Sequence, residues 1–386
     1  MEAEIVYFPV GNGDMTLIKT DSGKRVLIDC YIRDGSEHPD VLDMLKKELN
    51  KDKDDRYFID LFIWSHPDKD HCGGIDKHFY LGPPENYNKN KDLIFINEIW
   101  SSPIVYRRAS NNKKDDDSHN LCEDAQALNK EVKRRVNLYK NSKKMDVGNY
   151  VLILGDDEGD KTTHIQDIVV KLDQTVDKIN GLSSIDFDGV LLAPIPESDL
   201  NDDDLSKNNS SVVFNFKIST NNASINFLSG GDAEVCCWEA LIDRLEENGN
   251  RDSLNYDVLQ TPHHCSWHSL SHDSLSEKGS DAKASSKALS ALNNANTGAY
   301  IIASSNTIKN DDNDPPAFKA MQEYKKITDE VDGSFECVDD NKVEGENKPL
   351  RLRLTDEGLE VVSLTTFAES TATNKAINRR GSNGYA

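Results

Sequence analysis

No run of about 18 apolar residues occurs in this 386-residue chain, and a helix needs roughly that many to cross a bilayer. A membrane span is therefore not expected. The opening stretch MEAEIVYFPV has no basic segment followed by an apolar one, so no secretory signal is expected either. CxxC pairs are missing. The cysteines, Cys30, Cys72, Cys122, Cys236, Cys237, Cys265 and Cys337, make an odd count of seven. Free thiols in a reducing cytoplasm are the simplest expectation. Basic residues are scarce: 45 Lys and Arg stand against 68 Asp and Glu, a formal net charge of −23. Duplex binding relies on a basic face that neutralises phosphates, so this balance argues against generic high-affinity DNA binding. It leaves a nucleic-acid substrate open, because bound metal ions add local positive charge. No internal repeat of solenoid period is present.

Hydrophobic residues at 37% and charged residues at 29% describe a globular chain with a very polar surface. Length alone suggests two or three domains, although α/β folds of this size often form one unit. Strands are expected at residues 4–10, 15–19, 25–30, 59–64, 93–100, 151–154, 190–194, 211–218, 223–228, 256–260 and 300–304, with a closing hairpin at 350–364. Helices are expected at 40–49, 121–139, 236–246, 286–293 and 316–324. Polar loops are read at 83–92, 111–119 and 199–209, and the tail 367–386 reads as disordered. Helices that follow strand ends suit a sheet core with helices outside, an α/β (α+β) fold.

Chemistry concentrates in three turns. Directly after the apolar run 59–64 come His66, Asp68, Asp70 and His71, four potential ligands within six residues. A tight turn there can aim side chains into one cavity from two directions, which suits a two-metal cluster. Imidazole suits Zn, Fe or Mn, and carboxylates draw the preference toward harder ions such as Mn. An accidental polar turn would look alike, but two further ligand-bearing turns also follow strands. Asp232, in Gly230-Gly231-Asp232-Ala233-Glu234, could bridge two ions about 3.5–4 Å apart; taken alone it would read as a helix N-cap. Pro262-His263-His264-Cys265-Ser266-Trp267-His268 holds three of the ten histidines. One of His263 and His264 is expected to bind metal, the other to orient substrate or donate a proton. His268 reads as a supporting residue, and His38, His78, His119, His164 and His272 as surface residues. Cys72 and Cys265 beside these turns read as packing residues, since buried free cysteine behaves as a small hydrophobe.

These stretches, in this order, resemble the metallo-β-lactamase superfamily, and within it the soluble hydrolase domain of ComEC-type competence proteins. The resemblance runs through Val10-Gly11-Asn12-Gly13-Asp14, Leu27-Ile28-Asp29, Ser65 to Gly74, Asn209-Ser210-Ser211, Gly231 to Glu234 and Pro262 to His264, about residues 4 to 325. It implies a four-layered αββα sandwich over residues 1–366, with loop and helix insertions at about 80–210. It also implies two divalent metal ions, Zn or Mn. His66 and Asp68 would serve one ion, Asp70, His71 and a late histidine the other, and Asp232 would bridge them. Three departures stand out. Asp68 replaces a common histidine. A further histidine ligand would have to come from His119 or His164. Asp314-Pro315-Pro316 stands where the subgroup often has His-Pro.

The implied activity is a metal-dependent hydrolase, a phosphodiesterase or nuclease acting on nucleic acid or a nucleotide through a metal-bridging hydroxide. In the assignment adopted here, His263 is the late ligand, Asp70 and Asp232 orient the nucleophile, and His264 protonates the leaving oxygen. Lys69 and the stretch Lys133-Arg134-Arg135 are candidate phosphate contacts, the latter equally a solvated helix face. Acidity favours a small or single-stranded substrate. Two rivals use the same letters: a catalytically degenerate interaction protein, and a thioester, lactone or amide hydrolase on the same fold. A protein partner is open, and no membrane association is expected.

Overall fold

The structure is a computed structural model that describes residues 2–102, 121–156, 160–195 and 208–362. The expected polar loop at 111–119, most of that at 199–209, and the tail 367–386 lie outside the described residues. The third loop, 83–92, carries two single-turn 3-10 helices, Pro84–Asn86 and Lys89–Lys91. No helix among the described residues is long and apolar enough to cross a membrane.

The fold is a mixed α/β arrangement with two main sheets. The N-terminal half supplies β1 (Ala3–Tyr7), β2 (Thr16–Lys19), β3 (Arg25–Ile28), helix α1 (Val41–Glu48), β4 (Tyr57–Trp64), the short helices α2 (Lys69–Cys72) and α3 (Ile75–His78), β5 (Ile94–Ser101), helix α4 (Glu123–Ser142), β6 (Tyr150–Leu154) and β7 (Val169–Val170). The C-terminal half supplies β8 (Thr175–Val176), β9 (Phe187–Ala193), β10 (Val213–Ser219), β11 (Ser224–Ser229), helix α5 (Val235–Glu247), β12 (Tyr256–Gln260), helix α6 (Ser286–Leu292), β13 (Ala295–Ala303), helix α7 (Phe318–Glu330) and β14 (Ser334–Cys337). A closing hairpin, β15 (Leu350–Thr355) and β16 (Gly358–Val361), returns to the first sheet beside β1.

Main-path strand orders are β7-β6-β5-β4-β3-β2-β1-β15-β16 in the first sheet and β8-β9-β10-β11-β12-β13-β14 in the second. Each sheet changes character at one place. In the first, β1, β2 and β3 pair antiparallel, and β3 through β7 run parallel. In the second, β8 through β11 pair antiparallel and β11 through β14 run parallel. The two halves thus repeat one strand logic that no sequence repeat announces.

Burial explains the layering. Along β1, Ala3, Ile5 and Tyr7 enter one apolar cluster, while Val6 and the following Phe8 enter another, the period-2 alternation of a strand covered on both faces. The central cluster joins Leu61 and Ile63 of β4 and Trp100 of β5 to Phe214, Phe216 and Ile218 of β10 and Phe227 of β11, so the two sheets face each other. The outer face of the first sheet packs on α1 and α4 through Leu45, Leu128 and Val132. That of the second packs on α5, α6 and α7 through Trp238, Leu292 and Tyr324. The continuous run in β4 follows from this: Phe62 and Trp64 serve an outer cluster, Leu61 and Ile63 the inner one.

One long helix starts later than its periodicity suggests. Cys122 occupies the N-cap of α4 and accepts from the Ala125 N–H, followed by Glu123 and Asp124 in the first turn. Acidic residues there suit the positive end of the helix dipole. Two of the three residues in the basic stretch Lys133-Arg134-Arg135 on this helix are spent on the protein itself. Arg135 is fully buried and spends its guanidinium on Glu131 and on the carbonyls of Ile96, Asn97 and Tyr150. Arg134 is committed to Glu131 and Asn149.

Candidate metal centre

Functional side chains collect outside the carboxyl ends of β3, β4, β11, β12 and β13, where open parallel sheets place their ligands. Asp29 follows β3 with φ +56°. Its backbone N–H donates to the Ile63 carbonyl at 2.9 Å, and its carboxylate accepts from the Ser65 N–H at 2.8 Å and the Ser65 hydroxyl at 2.5 Å. That clasp sets the exit of β4. His66 follows, its Nδ1 3.1 Å from Ser65 Oγ. The chain then turns into α2, with Asp68 at the N-cap and Asp70 and His71 inside it.

The second sheet meets this turn through backbone. Val212 N–H donates to the Ser65 carbonyl at 3.0 Å. Gly231 has φ +50°, and a Cβ there would press on Ser65 and Ser211 at 3.1 Å, so glycine permits the approach. Asp232 N–H donates to Ser211 Oγ at 3.0 Å, and His263 N–H to the Gly231 carbonyl at 3.0 Å. Three successive residues, His263, His264 and Cys265, have φ of +50°, +54° and +68°. Non-glycine residues in this region cost on the order of 1–2 kcal/mol each, and such strain gathers at functional sites. Asp314 secures the turn by accepting from Ser266 Oγ at 2.6 Å and the Trp267 N–H at 3.0 Å. The residue standing where an imidazole was missed thus has a structural task.

Buried Asp232 is the hub. On its Oδ2 side lie His66 Nε2 at 3.4 Å and His263 Nε2 at 3.6 Å. On its Oδ1 side lie His71 Nε2 at 3.0 Å and His264 Nε2 at 3.5 Å. His264 Nε2 is also 3.4 Å from Asp70 Oδ2 and 3.4 Å from His71 Nε2. These spacings carry information. Four donors bound tetrahedrally at 2.0–2.1 Å stand about 3.3 Å from one another. The atoms therefore converge at ligand–ligand separations, and Asp232 Oδ1 and His66 Nε2 are buried without a hydrogen-bond partner. Orphaned buried polar atoms are rare and ask for an explanation; a cation between them supplies one.

Behind the converging nitrogens lie orienting groups. His71 Nδ1 is 2.8 Å from Asp29 Oδ2, and His264 Nδ1 is 3.1 Å from the Ser304 carbonyl and 3.3 Å from Asp14 Oδ1. Such partners fix the tautomer of a metal-binding imidazole. Asp14, His71, Asp232 and His264 form a buried cluster whose ligand atoms lie within 4.8 Å of one another and could hold a metal ion. Within it, Asp14 faces Nδ1 atoms, whereas Asp232 and Asp70 face Nε2 atoms, so Asp14 reads as an orienting group.

Electrostatics follow from the crowding. Burial would raise Asp232, but four imidazoles, His71 and His264 foremost, hold it well below the ordinary carboxylate range. Burial opposes a charged His264, yet Asp232, Asp14 and Asp70 push it up to about 10. His71 is likewise raised against its burial by Asp232 and Asp29. Asp70 is lowered despite burial by His264 and His71. His263 is lowered, chiefly by burial.

The structure brings together six of the seven expected site residues: His66, Asp70, His71, Asp232, His263 and His264. Asp68 stands at the N-cap position of α2, half-buried, and its side chain makes no capping hydrogen bond. Both late histidines turn Nε2 toward Asp232, at 3.6 Å for His263 and 3.5 Å for His264. His264, 1% exposed with both ring nitrogens facing protein groups, sits at a ligand position; His263, 17% exposed, is at the rim. A left-handed turn points the second imidazole inward, which letters alone do not reveal. His164 is exposed on a 3-10 turn against α4 and β6, so it does not complete the site; His119 lies outside the described residues. His268 is half-exposed, 3.8 Å from Asp314. Sequence reasoning gave no chemical role to Asp14, Asp29 or Ser304. The first two close the Val10–Asp14 and Leu27–Asp29 stretches, which was a usable signal; Ser304 left none.

A scan against protein-family models finds no match to this chain, and a search of curated proteins finds none. What remains is the class that the site itself defines: a buried histidine–carboxylate centre able to hold a metal ion.

Proposed function

We propose that the chain is a metal-dependent hydrolase of the metallo-β-lactamase type, built as a four-layered αββα sandwich over residues 1–366. It takes two divalent ions, Zn or Mn. The observation that carries this reading is the Asp232 carboxylate, with His66 and His263 facing one oxygen and His71 and His264 the other at 3.0–3.6 Å. His66, His263 and Asp232 would hold one ion; Asp70, His71, His264 and Asp232 the other. Bound there, the ions would supply Lewis acidity and a water acidified enough to be deprotonated near neutral pH.

The chain's own residues set the conditions. Asp29 and the Ser304 carbonyl accept from Nδ1 of His71 and His264, so that with ions bound the Nε2 lone pairs would be the ones turned inward. The strained turn at His263–Cys265 holds both late imidazoles against Asp232. His66, His71 and His264 are sealed from solvent, which excludes stray water. His263, the imidazole with measurable exposure, is the one placed at the rim to meet a substrate. Positive charge concentrated in an acidic chain suits an anionic substrate, and a phosphodiester in a nucleotide or single-stranded nucleic acid fits best.

The test has two parts. Elemental analysis of the purified chain beside Asp232→Ala should find about two equivalents of Zn or Mn, falling sharply in the variant. Turnover of phosphodiesters should then exceed that of thioesters, lactones and amides in a parallel panel. No metal after reconstitution sinks the catalytic reading and favours an interaction protein; a faster thioester or lactone sinks the substrate class.

A further inference from the structure

Two cysteines outside the cluster meet beside it. Cys72 immediately follows His71 and is fully buried, its Sγ donating to the Asp68 carbonyl at 3.2 Å. Cys122, half-buried at the N-cap of α4, has its Sγ 3.8 Å from that of Cys72. They are 50 residues apart in sequence, and the approach is held by backbone. The Asp124 carboxylate, in the first turn of α4, accepts from the Gly74 N–H at 3.0 Å and the Asp76 N–H at 3.1 Å. The start of the long helix is thereby fastened onto the ligand-bearing turn.

We propose that Cys122 and Cys72 form a peroxide-sensitive thiol pair that closes into a disulfide and clamps α4 onto the turn carrying Asp70 and His71. Cys122 is the thiol that reacts first. It is the partly exposed member, its sulfur lies 3.8 Å from that of Cys72, and it accepts from the Ala125 N–H at the positive end of a 20-residue helix. The contact with Cys72 and the bond from Ala125 outweigh its burial and lower it from 9.0 to about 7. The steps balance. The Cys122 thiolate attacks hydrogen peroxide, the O–O bond breaks, sulfur is oxidised to the sulfenic acid, and the departing oxygen leaves as water after protonation. Cys72 sulfur then attacks Cys122 sulfur, losing its proton, and the sulfenic hydroxyl departs as a second water. An S–S bond is about 2.0 Å long, so the sulfurs must draw together by about 1.8 Å. That takes the Cys72 hydrogen from the Asp68 carbonyl and shifts the residue next to His71. Disulfide formation stands independently of the hydrolase reading; its effect on metal retention rests on that reading.

The full chain, reduced and freed of reductant, is treated with hydrogen peroxide, and its cysteines are mapped by differential alkylation and mass spectrometry. The expected product joins Cys72 to Cys122 with the other five cysteines reduced. At pH 7 the lowered Cys122 carries about fiftyfold more thiolate than an ordinary thiol, offset in part by weaker nucleophilicity, so it should alkylate about sixfold faster. Cys122→Ser, which keeps a capping hydroxyl, should abolish the bridge. Cys72→Ser should leave a sulfenic acid on Cys122 that dimedone traps. Oxidation of another cysteine first, or no bridge at all, overturns the pair. Zinc affinity, measured on the same samples, should fall at least tenfold on oxidation and return with dithiothreitol. A bridge that leaves it unchanged overturns the clamp. A bridge that forms in a protein whose reduced form binds no zinc upholds the pair and strikes the metal reading instead.

Discussion

Loading the centre with a divalent ion should expel about two protons near neutral pH, and the count follows from the carboxylates around the imidazoles. A metal takes neutral imidazole, so any proton on the ligand nitrogen must leave. His264 sits at about 10 and His71 is raised in the same direction, so both are imidazolium at pH 7 in the metal-free chain. Removing the His264 proton at pH 7 spans three pH units, about 4 kcal/mol at 1.36 kcal/mol per unit, or roughly a thousandfold in apparent affinity. Each proton displaced steepens the pH dependence by about one decade per unit, so affinity should rise about a hundredfold from pH 7 to pH 8. Calorimetric zinc titrations in buffers of differing ionisation enthalpy read the proton count directly. Asp232→Asn removes the charge that raises both imidazoles most. Its proton release should fall along with its ion stoichiometry. A binding heat independent of buffer, with affinity flat between pH 7 and 9, would refute the reasoning.

Two further outcomes test the surroundings. Asp29→Asn takes the anion from His71 Nδ1, where the carboxylate oxygen lies at 2.8 Å; loss of such an orienting carboxylate costs about 10–100-fold in metal affinity. A chelator competition on folded protein measures it, and unchanged affinity would remove Asp29 from the site. Away from the site, Glu98 is buried, accepts from Trp100 Nε1 at 2.8 Å and from the Asn180 N–H, and is pushed up to about 7 chiefly by burial. A raised carboxyl contributes its full stability below its unfolded value and loses it as pH climbs through the folded one. Between about pH 4.5 and 7 the chain should lose on the order of 3 kcal/mol from this group. Urea melts of Glu98→Gln should show a flatter pH profile over that window; parallel profiles would contradict the assignment.

Strand and helix positions were largely legible because burial imposes its period on the letters. The run in β4, the alternation in β1 and the spacing of α5 each match the face that packing covers. The ligand-bearing turns were legible for a related reason: several histidines and carboxylates directly after apolar strands have few structural uses. The β15–β16 hairpin was expected, but its pairing with β1 was less visible, as were the strand β14 and the shared strand logic of the two halves. Pairing is a relation between distant segments, and no local pattern encodes it.

By itself, the sequence determined the inventory: mixed α/β elements, scarce basic charge, free cysteines, and which turns carry imidazole and carboxylate. Only the tertiary structure decided how these atoms meet. It set Asp232 between two pairs of histidines, turned His264 inward and left His263 at the rim, kept Asp68 at a helix cap, gave Asp14 and Asp29 their orienting places, and buried Arg135 that its letters had offered to solvent. The physical reason is that a side chain's chemistry is local, whereas its direction depends on backbone dihedrals and on partners hundreds of residues away. The close approach of Gly231 to Ser65 arises only when the two sheets pack.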